Sequence, residues 1–124
     1  MEIALYISAI LVLCVAAAHS YLGERYILIR LFRKNDLTKL FGSTEFTTRT
    51  LRFAWHLTSI AWLGLASVLV LLAHPPIQPR IIGLVIGIIF LAHFAIALAG
   101  SKGKHLSWPV FLIIGALAIY ATNT

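Results

Sequence analysis

The chain reads as an all-α integral membrane protein, a four-helix up-down bundle with its termini outside and its basic loops in the cytoplasm. Three observations predict this. Sixty per cent of the 124 residues are apolar and only 11% are charged, against about 45–50% and roughly 25% in soluble domains. The apolar residues gather into four stretches, 3–22, 53–73, 81–99 and 106–121. The basic residues gather into two of the segments between them: Arg25, Arg30, Arg33, Lys34, Lys39, Arg49 and Arg52 in one, Lys102 and Lys104 in the other, with Arg80 alone opposite. That asymmetry places both basic segments in the cytoplasm, and the expected setting is a bacterial inner membrane.

At about 1.5 Å per residue and a hydrocarbon thickness of about 30 Å, the first three stretches span unaided. The fourth reaches only roughly 24 Å and must thin the bilayer or lean on its neighbours. The first stretch also invites a reading as a cleaved signal peptide ending near Ala16–Ala18. A signal peptide opens with a basic segment, whereas only Met1 and Glu2 precede this one, so it is expected to stay as a span. Cys14 lies mid-span, where a lone thiol acts as a small apolar packer.

Residues 23–50 form an amphipathic cytoplasmic loop. "GERYILIRLFRK" mixes bases with apolar residues and continues the first helix out of the bilayer or along its surface. "NDLTKLFG" predicts a further turn of helix closed by Gly42, and Ser43 or Thr44 caps a second helix that begins ahead of its apolar span. "HPPIQPR" (74–80) is a stiff turn, since prolines cannot continue a helix. "GSKGKHLSWP" (100–109) is equally short, with Ser107 as an N-cap and Pro109 in the first turn. Gly83 and Gly87 form a small-xxx-small face for close helix approach, either inside the bundle or as a homodimer or partner-protein contact.

The net charge of +6 follows from topology, so no nucleic-acid partner is implied; membrane lipids are, through anionic headgroups at the basic loop. Glu2, Glu24, Asp36 and Glu45 are the only acids and none lies mid-membrane, which argues against a carboxylate-rich diiron site and against proton-coupled export through a buried carboxylate. There is no Ser-His-Asp order, phosphate loop or thiol pair.

Threaded up and down, His19, His56 and His93 fall within roughly 6–11 Å of the cytoplasmic boundary, with His105 just above them and His74 alone opposite. "IIFLAHFAIALAG" gives His93 no polar neighbour for two turns, so it needs a partner in the bundle, a backbone carbonyl or a ligand. Imidazole is a common transition-metal ligand and an axial ligand of haem iron. His19, His56, His93 and His105 are therefore candidate metal ligands, and two of them could clamp haem b. Arg49, Arg52 and His56 share one helical stripe, and the arginines suit propionates or another anion. Glu24 is expected to be a salt-bridged interfacial residue, paired with Arg25 or Arg49, and in the alternative reading it orients a histidine of the cluster.

"WHLTSIAWLG" (55–64) and "HSYLGERYILIRLF" (19–32) resemble segments of two small membrane-protein families, the copper-resistance D proteins and the haem-dependent protoporphyrinogen oxidases. The resemblance implies His56 and His19 as haem or copper contacts, with Trp62 and Gly64 packed beside them. Five residues separate His56 from Trp62, where those families have six. The expected function is a small redox or metal-handling membrane protein holding haem b or a transition metal. The alternatives are a non-enzymatic accessory or scaffold subunit, and a lipid- or solute-binding protein with anionic headgroups at Arg49 and Arg52.

Overall fold

The computed structural model describes all 124 residues and contains four helices and no strand. We label them α1 (Glu2–Phe32), α2 (Glu45–Leu72), α3 (Pro79–Ser101) and α4 (Ser107–Asn123). The first three are long and apolar enough to cross a membrane, and the fourth is a shorter apolar helix. Only 15 of 124 residues are buried, while Ile10, Leu11, Ile88 and Leu117 each expose about 60% of their surface. Water would not tolerate so large an apolar exterior, whereas lipid requires it. This is the surface of a membrane protein.

The helices pack in chain order, α1 on α2, α2 on α3 and α3 on α4, with no comparable seam between α1 and α4. Along each seam residue numbers rise on one helix as they fall on the other. Tyr6 meets His74 and Glu24 meets Arg52; His93 meets Leu57 and Arg49 meets Gly100; Arg80 meets Asn123 and Phe94 meets Trp108.

Each seam uses small residues where backbones come close. Gly83 and Gly87 face α4, where an added Cβ would run into Thr122 at the first and Ile119 at the second, with the Gly115 carbonyl 3.0 Å away. Of the two uses that the glycine face allowed, the structure fills the internal one. Ser101 is 1% exposed and donates to the Ala97 carbonyl, and Lys102 closes α3 in the left-handed conformation.

The connections depart from expectation in two places. Residues 33–44 form turns and a single bridge between Leu40 and Ser43, not a turn of helix, and Gly42 sits at φ +84° in that turn. The start of α2 is as expected: Thr44 is the N-cap residue, and Ser43 Oγ accepts from the Glu45 N–H. At α4 the cap position is Leu106; Ser107 is already the first helical residue, and its hydroxyl is bonded to His105 Nδ1. The same Nδ1 accepts from the Ser107 backbone N–H at 3.2 Å, so a histidine two residues upstream meets the first turn of the helix.

Within α1, residues Gly23–Leu28 adopt a π-helical turn. Gly23 is required there because the Trp55 indole of α2 occupies the space that any Cβ would take.

Substituting Gly87 by Leu should lower the unfolding free energy in detergent by about 1–3 kcal/mol, the usual cost of overpacking. Ile88→Ala, at a position 59% exposed, should change it little; the comparison is made by thermal melts followed by circular dichroism.

Candidate functional site: a polar seam and a cationic cleft

Two features lie at the basic end of the helices. The first is a chain of polar side chains along the α1–α2 seam. On α2, Arg52, His56 and Ser59 stand at i, i+4 and i+7; on α1, Ser20 and Glu24 stand at i and i+4. Those spacings put each set on one helical stripe, and packing brings the stripes face to face. His19 Nδ1 lies 3.1 Å from Ser59 Oγ, and Ser20 Oγ donates to Ser59 Oγ at 2.7 Å. His56 Nδ1 lies 2.9 Å from Ser20 Oγ, and its Nε2 lies 3.2 Å from Glu24 Oε2. Arg52 completes the chain by gripping both Glu24 oxygens, Nη2 to Oε1 at 2.9 Å and Nε to Oε2 at 3.3 Å.

Tryptophans hold the deep end of this chain. The Trp55 ring stacks on His19 with centroids 4.6 Å apart and planes 5° from parallel, and Trp62 meets the same imidazole edge-on at 5.0 Å. Trp55 Nε1 also donates to the His19 carbonyl at 2.9 Å, where α1 passes into its π-helical turn. A π turn at such a junction marks a local departure that packing must maintain. The contact Trp55–Gly23 supplies that packing.

The second feature is an open cleft of about 530 Å³ between α2 and α3, lined by Thr48, Arg49, Arg52, Phe53 and His56 on one wall and by Ile96, Ala99 and Gly100 on the other, with Glu45 at its rim. Arg49 donates to the Gly100 carbonyl at the end of α3 (3.2 Å) and pairs with Glu45 (3.0 Å). Lys102 reaches the same Glu45 oxygen at 2.9 Å. The Lys102 ammonium first and the Arg49 guanidinium second hold the Glu45 carboxyl, on the exposed first turn of α2, below the usual carboxylate range. Each guanidinium still has an Nη without a partner in the chain, since Arg49 uses Nε and Nη1 and Arg52 uses Nε and Nη2.

The candidate histidines are therefore divided. His19 and His56 belong to the α1–α2 seam. His93 lies on the other side of α2: its Nε2–H donates to the Leu57 carbonyl at 3.1 Å, and its ring packs against Phe90 and Phe111, each 5.5 Å away. The partner that its depth demanded is a backbone carbonyl, and its Nδ1 is buried without one. His105 is bound to Ser107 and flanked by Phe46 and Phe53. His74, at the far end, donates from Nδ1 to the Val70 carbonyl and accepts the Tyr6 hydroxyl. No three His, Cys, Asp or Glu side chains come together as a metal-holding group, so the four histidines His19, His56, His93 and His105 do not surround one ion here.

Glu24 is salt-bridged to Arg52, not to Arg25 or Arg49, and it also meets His56, one of the candidate histidines; Arg25 turns to the Tyr21 hydroxyl instead. Measured from His19, five residues at about 100° each put Glu24 far round the helix. Measured from Ser20, it is four residues on and on the same stripe. The residues that sequence reasoning missed are Ser20, Ser59 and Thr48. The i, i+4 pairing of Ser20 with Glu24 and the i, i+3 pairing of His56 with Ser59 were the available signals. No family model, curated protein or solved structure matches the chain.

Ser59 is 7% exposed, and Ser59→Ala would leave both His19 Nδ1 and the Ser20 hydroxyl without their partner, at about 1–3 kcal/mol. The Glu24–Arg52 pair, with side chains 29% and 46% exposed, is screened, so Glu24→Gln should cost no more than about 1 kcal/mol. Denaturant titrations in detergent check the order; a larger loss for Glu24→Gln would show that the seam depends on its ion pair.

Proposed function

We propose that this is a small multi-pass protein of the bacterial inner membrane, up-down in topology with both termini outside, whose cytoplasmic mouth binds an amphiphile carrying acidic groups on an apolar body. The observation that carries this is the α2–α3 cleft. Two guanidiniums with unused donors stand on one wall, and Ile96 and Ala99 supply an apolar surface opposite. Arginine suits such ligands because its planar fork matches carboxylate and phosphate oxygens. The basic residues around 23–52 and 102–104 add a field that draws anionic ligands to the same end.

Two sources supply that chemistry. One is an anionic phospholipid, whose phosphate would sit between Arg49 and Arg52 with its chains along α3. The other is haem b, which carries two propionates on a flat apolar macrocycle. For haem the arginines and the volume suit the propionates and part of the ring. His56 is the histidine lining the cleft, and both its ring nitrogens lie against partners in the chain, Ser20 and Glu24, so it would have to exchange Glu24 for iron. The lipid requires no such exchange and is the reading we put first. A bare transition-metal ion has the least support, because its candidate ligands lie in different seams.

Purification in mild detergent separates the sources. Phosphate-bearing lipid retained by the wild type and reduced about tenfold or more in the Arg49→Gln/Arg52→Gln variant supports the lipid. A Soret band lost on His56→Ala supports haem. A preparation that keeps neither, or keeps either unchanged without the arginines, overturns the assignment of the cleft.

A further inference from the structure

Beside the polar seam, α1 and α2 leave a second groove, of about 380 Å³, that is separate from the cationic cleft. It opens outward where lipid would lie, and its walls include Val15, Ala18, Leu22, Trp55 and Trp62. None of its lining residues carries a formal charge, and His19 is among them.

The hydrogen bonds of the seam give His19 a partner at Nδ1 alone. The Glu24 carboxylate only accepts, so His56 Nε2 donates to it; with Ser20 donating to Ser59, His56 Nδ1 donates to Ser20 as well, and the Ser59 hydroxyl proton is left for His19 Nδ1. With Nδ1 accepting, the neutral imidazole carries its proton on Nε2. That nitrogen has no partner in the chain and is not among the enclosed unpaired atoms. The groove therefore presents one imidazole N–H donor, held in place by the stacked Trp55 ring and the edge of Trp62, in a largely apolar lining that also includes Tyr26.

We propose that this groove binds the ring of a membrane quinone, with His19 Nε2–H donating to a quinone carbonyl. The occupant follows from complementarity. A groove without charge selects a neutral ligand, unlike the arginine cleft. An opening toward lipid selects one that is membrane-soluble. Indole walls select a flat ring, and the imidazole donor selects a carbonyl oxygen, since leaving that N–H unpaired beside lipid is costly. Ser59 and Ser20 are positioning residues: they do not touch the ligand, and they fix the tautomer that binds it.

The test uses the full chain in phosphatidylcholine nanodiscs carrying Trp108→Phe, so that Trp55 and Trp62 are the emitters, titrated with decylubiquinone. Saturable quenching of tryptophan emission is expected on top of the linear loss caused by partitioning. His19→Phe should remove the saturable part, weakening binding at least tenfold. His19→Gln, whose amide N–H replaces the donor, should restore much of it, and Ser59→Ala should weaken binding severalfold while helix content is retained. ¹⁵N spectra of the wild type should show His19 protonated at Nε2. Purely linear quenching in the wild type, saturable quenching that survives His19→Phe, or brominated acyl chains that quench both tryptophans and resist displacement by the quinone would each overturn the assignment.

Discussion

A hydroxyl or imidazole enclosed by apolar surroundings must find a partner, and in this chain that requirement fixes how α1 lies on α2. Ser59 stands at the centre of it. Its hydroxyl is the junction of His19 and Ser20, and through Ser20 it is linked to His56, Glu24 and Arg52. Apolar side chains on two lipid-facing helices are interchangeable to a first approximation, since lipid tails wet them as well as neighbours do. Sliding α1 by one residue would leave apolar contacts much as they are and break every polar one. The seam is therefore a register device as well as a candidate site, and the Trp55–Gly23 fit adds a steric stop to it.

The other seams are held differently. Between α3 and α4 the main device is closeness, with Gly83, Gly87 and Gly115 letting the helices approach and dispersion over many short contacts supplying the attraction. Between α2 and α3 the devices are mixed. His93 donates across to a backbone carbonyl, and Arg49 donates to the Gly100 carbonyl at the end of α3. That second bond has a clear electrostatic origin, because the last carbonyls of a helix are unpaired and carry its partial negative charge. The contact that stabilises the end of α3 also keeps a guanidinium on the wall of the cleft.

The cleft and the groove differ in one respect that follows from depth. The cleft lies at the level of the basic segments, where arginines reach water and anions, and its donors are charged. The groove lies where the helix surface is apolar, and its imidazole, His19, has a hydroxyl, that of Ser59, at Nδ1. They are linked through His56: it lines the cleft and, through Ser20 and Ser59, is bonded to His19 in the groove.

The sequence by itself determined that the chain is helical and membrane-embedded, because segment length, apolar content and the grouping of bases are one-dimensional quantities that lipid reads directly. It also placed Arg49, Arg52 and His56 on one stripe and required a partner for His93, since helical period and burial cost follow from local spacing. It did not determine which histidines meet. Depth along a helix can be counted in residues, but the direction in which a ring points around the axis depends on which neighbour each face meets, so His19 and His56 fell into one seam and His93 into another. Nor did it determine Glu24's partners or the π turn at Gly23. Both depend on where the α2 indole and the Arg52 guanidinium arrive, and only the packed helices decide that.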